Sequence, residues 1–150
     1  MDNSENNEEI RILVIEDNPA DIRIIQEVFK DFKIKTQLYI SRDGIEALDF
    51  LNKNGKYKDM PCPDLILLNL SLPRKNGMEL LKDIKKDTNL KEIPVIVLTT
   101  SNAEEDILNA YKLQANCFIT QPIDFDEYKN VLESIEEFWL KTAKLPRKDS

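Results

Sequence analysis

Three short, uninterrupted aliphatic runs punctuate the chain, at residues 12–15, 65–68 and 95–98. They are too short for helices, and they lack the in-out alternation of a strand with one wet face. Runs of this kind suit strands buried on both sides. Residues 38–40 and 117–119 are weaker strand candidates. Between the runs, apolar residues recur at spacings of three and four: Ile22, Ile25, Val28, Phe29 and Phe32; Ile45, Leu48 and Leu51; Met78, Leu81 and Ile84; Ile107, Ala110 and Tyr111; Tyr128, Val131, Leu132, Ile135 and Phe138. That spacing gives each segment one apolar helical face. The last pattern runs on through Trp139 and Leu140 and stops before Pro146.

Local signals mark the helix starts. Asn18 before Pro19 offers a capping side chain followed by a proline at the first helical position, with Asp21 near the positive end. Ser101 with Glu104, or Asn102 with Glu105, fits a capping box. The order is therefore strand then helix, five times over. Such alternation predicts a parallel five-stranded sheet with right-handed crossovers and helices on both faces, a flavodoxin-like doubly wound (βα)5 sandwich of strand order 2-1-3-4-5.

At 150 residues the chain has the size of one domain. We expect a folded unit over residues 10–143, a disordered acidic segment at 1–9 and a frayed tail at 144–150. A formal charge of −7 argues against a nucleic-acid or anionic-lipid surface, which needs a basic stripe. The absence of histidine excludes a phosphohistidine site, a His-based triad and His-ligated zinc. No apolar run approaches the roughly 18 residues of a membrane span, and no signal peptide opens the chain. Cys62, between two prolines, and Cys117, in an apolar run, do not suggest a disulfide framework, so a reducing cytoplasm is the expected compartment.

In an open parallel sheet, ligands sit beyond the carboxyl ends of the strands. Those ends carry Glu16 and Asp17; Asn69; Thr99 and Thr100; and Gln121 with Pro122. The acidic pair supplies hard oxygens suited to Mg²⁺, or else it is a solvated strand end that helps the next helix start. No Ser/Thr/Gly-rich phosphate loop follows the first strand, which argues against a flavodoxin-type cofactor binder. Ser71 has no neighbouring base to make it a nucleophile, and Cys62 has no cation to lower its pKa.

Four segments carry a resemblance: Ile-Leu-Val-Ile-Glu-Asp-Asn-Pro-Ala-Asp at 12–21, Pro-Asp-Leu-Ile-Leu-Leu-Asn-Leu-Ser-Leu-Pro-Arg-Lys-Asn-Gly at 63–77, Ile-Pro-Val-Ile-Val-Leu-Thr-Thr-Ser at 93–101 and Phe-Ile-Thr-Gln-Pro at 118–122. Together they resemble the receiver domain of two-component response regulators, in particular the stand-alone receivers that work with phytochrome-like histidine kinases. The resemblance implies Mg²⁺ on Glu16, Asp17, residue 69 and the Ser71 carbonyl. It further implies a phosphoacceptor at residue 69, a switch through Thr99 and Phe118, a lysine at 121 and a cis bond before Pro122. Without the resemblance, Phe118 reads as core packing and Thr99 as a strand-end hydroxyl.

Two residues depart from that pattern. Asn69 stands where the family has its aspartate, and a neutral carboxamide is a poor nucleophile for phosphoryl transfer. Gln121 stands where the family has its lysine, so a negative and a positive charge are lost together and the two amides are expected to hydrogen-bond each other. The resemblance then implies a degenerate receiver in a phosphorelay, with weak Mg²⁺ binding and no autophosphorylation chemistry. It would act as a protein-binding module for a sensor histidine kinase or another response regulator, or as a homodimer through its terminal helix. The alternative is a conventional phosphoacceptor receiver whose aspartate has been replaced in this chain. Trp139 and Leu140 are the expected exposed apolar patch.

Overall fold

The computed structural model of the chain describes residues 9–147. Its elements run β1 (Ile10–Ile15), α1 (Pro19–Lys30), β2 (Thr36–Ser41), α2 (Gly44–Leu51), a 3₁₀ turn (Gly55–Tyr57), β3 (Leu65–Leu68), α3 (Gly77–Lys86), β4 (Val95–Thr99), α4 (Glu104–Lys112), β5 (Cys117–Thr120) and α5 (Phe125–Ile135), followed by a π-helical stretch (Glu136–Thr142). The five strands are parallel and lie in the order β2-β1-β3-β4-β5. The expected sheet is therefore the observed one.

Alternate side chains of each central strand feed two separate cores. Leu13, Ile15, Ile66, Leu68, Val95 and Val97 pack with Phe50, Leu80, Leu81 and Ile84 on the side of α2, α3 and α4. Ile12, Val14, Leu65, Leu67, Ile96 and Leu98 pack with Ile25, Val28, Phe29, Tyr128, Leu132 and Ile135 on the side of α1 and α5. The continuous aliphatic runs follow from this: neither face of β1, β3 or β4 meets water. Among the described residues no helix is long and apolar enough to cross a membrane.

Asn18 caps α1 as expected, its Oδ1 accepting from the backbone N–H groups of Ala20 and Asp21, and Pro19 opens the helix. Neither proposed capping box forms at α4. The helix starts after Ala103, and Ser101 instead donates its hydroxyl to Asp106 at 2.6 Å while accepting from Ala103 N–H. Because the helix begins after Ala103, the Ser101 oxygen accepts from the N–H two residues on, as in an ST-turn, and caps no helical N–H.

The final helix does continue past Ile135, but it widens to a π-helix. Ala143 N–H donates to Phe138 O, five residues back. The wider turn rotates Leu140 into the α1/α5 core and leaves Phe138 outside, half exposed, with Trp139 packed edge-on to it. The expected Trp139–Leu140 patch is thus replaced by Phe138.

The last residues do not read as frayed up to 147. Leu145 packs on the core, and Arg147 reaches both Glu9 O (2.7 Å) and the buried carboxylate of Asp64 (3.3 Å), which also accepts from Arg11 N–H. The expectations for residues 1–8 and 148–150 lie outside the described residues.

Ile84 is fully buried under the sheet, so Ile84→Ala removes apolar contact and leaves a cavity. We predict a loss of about 2–5 kcal/mol. It is measured as a lowered urea midpoint with an unchanged slope; a loss below 1 kcal/mol would contradict this packing.

Candidate functional site

The strand order reverses between β1 and β3, and the carboxyl ends of these strands open into a cleft of ≈ 410 Å³. Its walls are Glu16, Asp17, Asn18, Pro19, Asp21, Asn69, Ser71, Thr100 and Gln121. Every strand end singled out in the sequence except the Thr99 and Pro122 positions thus lines one space. Thr99 lies just beneath it, buried, with its hydroxyl on Asn69.

Asn69 is the hub. Its Nδ2 donates to Glu16 Oε2 at 3.1 Å and to the Ser71 carbonyl at 3.3 Å. Its Oδ1 accepts from Ser71 N–H at 3.1 Å and from the Thr99 hydroxyl at 3.3 Å. Two donations and two acceptances use the full capacity of a carboxamide. The amide nitrogen lies between the Glu16 carboxylate and the Ser71 carbonyl, two oxygens expected to hold a cation. Its protons supply positive charge there, and a metal ion has to displace them. Among the described residues no group of three or more carboxylates or thiols stands close enough to hold a metal.

Gly77 sets this loop. A Cβ there would stand 2.5 Å from Leu70 Cα and 2.6 Å from Asn69 O, so only glycine lets α3 begin against the residues that carry the site. Its N–H donates to Leu70 O at 2.8 Å, and Asn76 caps α3 through Glu79 N–H.

Glu16 is buried and accepts from Asn18 N–H at 3.0 Å as well as from Asn69. Burial raises its carboxyl pKa from the ordinary 4.5 to about 6, against the lowering effect of the Asn18 and Asn69 hydrogen bonds, with Asp21 and Asp17 adding repulsion. The hydroxyl of Tyr128 on α5 is buried without a hydrogen-bond partner. Burial, and then the charges of Asp21 and Glu16, push its pKa upward.

Two sequence expectations are corrected here. Gln121 does not pair with Asn69, whose four bonds are already taken. Its backbone N–H donates to Thr99 O, and its side chain lines the cleft. The Gln121–Pro122 bond is trans, since there is no cis peptide among the described residues. Trans is the lower-energy isomer by about 0.5–1 kcal/mol wherever no contact selects cis. Cys117 is partly exposed and shares a hydrogen bond with Trp139. Phe118 packs partly buried against the α2–α4 core, and its N–H donates to the Tyr111 hydroxyl. Asp21 was not foreseen as a cleft residue. Asp21 stands in the first turn of α1, just past the strand end that carries Asp17.

A model of the response regulator receiver domain matches residues 12–133. The chain is 46% identical over 135 residues to response regulator Rcp1 of Synechocystis sp., covering 90% of this chain and 92% of that protein. Among solved structures it is similar to the phosphorylated cyanobacterial phytochrome response regulator RcpA, with 45% identity, a TM-score of 0.90 and coverage of 93% and 99% of the two chains. It is also similar to the Mn²⁺-bound form of response regulator Rcp1, with 45% identity, a TM-score of 0.89 and coverage of 92% and 99%.

The raised pKa of Glu16 has a consequence for stability. A proton binds this carboxyl more tightly in the folded chain, so ionising it opposes folding. The contribution is favourable below about pH 4.5 and is lost as pH rises through about 6. In buffer with chelator, Glu16→Gln keeps the acceptor for Asn18 and Asn69 without the charge. We predict that it stabilises the fold at pH 7 by roughly 1–2 kcal/mol, allowing for residual solvent screening, and by nothing at pH 4. Urea titrations at the two pH values check this; an equal difference at both would refute it.

Proposed function

The chain belongs to the response regulator receiver domain family, and on that premise we propose that it serves a two-component phosphorelay as a protein-binding module that accepts no phosphoryl group at Asn69. One observation carries this reading: the residue at the phosphoacceptor position is a carboxamide with every hydrogen-bonding position engaged. Attack on a phosphoryl group needs an anionic oxygen. Asn69 Oδ1 is neutral, and Ser71 N–H and the Thr99 hydroxyl occupy its lone pairs.

The other family parts follow from the same loss. Thr99 has an internal acceptor in place of a phosphoryl oxygen, so no ligand at residue 69 favours one position of Thr99 or Phe118 over another. Mg²⁺ chemistry in this family supplies charge for phosphoryl transfer. In this chain Glu16, Asp17 and the Ser71 carbonyl would hold such an ion, and only after the Asn69 amide turns away; binding is therefore weak. The partners we propose are a phytochrome-type sensor histidine kinase or a second regulator, reached in the cytoplasm. Similarity to the cyanobacterial phytochrome response regulator RcpA supports the kinase assignment. A homodimer through the terminal helix would use Phe138, the exposed aromatic of that segment.

Incubation with acetyl phosphate and Mg²⁺, followed by mass spectrometry of the intact protein, tests the reading. We expect no added phosphoryl mass on the unaltered chain and an acid-labile addition on the Asn69→Asp, Gln121→Lys double variant. An acid-labile phosphoryl group on the unaltered chain would overturn it.

A further inference from the structure

The cleft is charged but unmatched. Three carboxylates, Glu16, Asp17 and Asp21, face it, and no basic residue lines it. Neither the Asp17 nor the Asp21 carboxylate has an ion-pair or hydrogen-bond partner among the described residues. A second observation is independent of charge. Gln121 is only 8% exposed, yet its side-chain amide finds no hydrogen-bond partner among the described residues and borders the cleft. No protein group satisfies that amide, so it is left to a polar group from outside.

The chemistry of that group follows from the acceptors available. An anion meets repulsion from three carboxylates. A small divalent ion has to displace the Asn69 amide protons from Glu16 and the Ser71 carbonyl before it can bind. What remains is an extended cation with several donors that can touch separated acceptors at once. A guanidinium carries five N–H donors in a rigid plane, whereas an ammonium is a compact point charge. We infer that the cleft receives the guanidinium head of an arginine side chain presented by a docked protein. It donates to the Gln121 amide oxygen and to the Asp17 and Asp21 carboxylates. This deepens the binding-module reading by naming what the partner brings to the same cleft.

The test uses the full chain, uniformly labelled with ¹⁵N, titrated with N-acetylarginine amide at constant ionic strength. We expect a saturable shift of the Gln121 side-chain amide resonance, assigned by its loss in Gln121→Lys, and of the backbone amides of Asp17 and Asp21, which report binding in every variant. Affinity should fall at least threefold in Asp21→Asn and disappear in Gln121→Lys, which places an ammonium in the cleft, while the remaining amide spectrum stays dispersed. N-acetyllysine amide should bind more weakly. Free arginine should also bind more weakly, because its carboxylate meets the acidic rim. No saturable shift in the folded chain, undiminished binding to Gln121→Lys, or free arginine binding as tightly as the blocked form would overturn the proposal. The acetyl phosphate experiment has a separate readout, so a failure here is distinguishable from a failure of the phosphoryl-free reading.

Discussion

Asn69 connects three parts of the molecule that the backbone leaves apart. It gives its two amide protons to the end of β1 and to the loop beyond β3, and takes one hydrogen bond from that loop and one from the end of β4. An aspartate at this point cannot donate, so it would set a third negative charge against Glu16 and Asp17 and require a cation to hold the loop. The carboxamide removes that requirement. The satisfied amide ties the strand ends together beside the buried Glu16 carboxyl and the cleft.

The sheet was readable because burial on both faces leaves a plain trace. Residues 65–68 and 95–98 contain no polar position at which a wet face would begin, and the doubly wound architecture explains why. The site was readable for a related reason: strand ends in such a sheet converge, so Glu16, Asp17, Asn69 and Gln121 share one cleft although they lie far apart in the chain. Asn18 was legible because a cap depends only on its neighbours in sequence.

What escaped the sequence was competition between partners. Ser101 had a suitable position for a capping box, but the helix begins after Ala103, so its oxygen meets the Ala103 N–H and its proton goes to Asp106. Asn69 and Gln121 are chemically able to pair, yet Ser71 and Thr99 reached the Asn69 oxygen first, and no one-dimensional pattern ranks such alternatives. Leu140 read as exposed on an α-helical count; the π-helical turn adds residues per turn and moves it inward. Arg147 read as part of a polar tail because its acceptor, Asp64, is distant in sequence and hidden at the start of β3. Family resemblance filled part of this gap. It pointed to the acceptor position, while the bonds that a carboxamide makes there emerged only in three dimensions.

The contact between Arg147 and the Glu9 carbonyl brings both ends of the described chain to one pole of the sheet, opposite the acidic cleft. Covalent additions at either end therefore hang from the amino-terminal edges of the strands and leave the carboxyl-terminal edges clear. A reporter protein, an affinity tag or a surface tether can be attached there without shading the acidic cleft. A short peptide joining residue 147 to residue 9 would close the backbone into a ring with little rearrangement, leaving the surface loops free to serve as new termini.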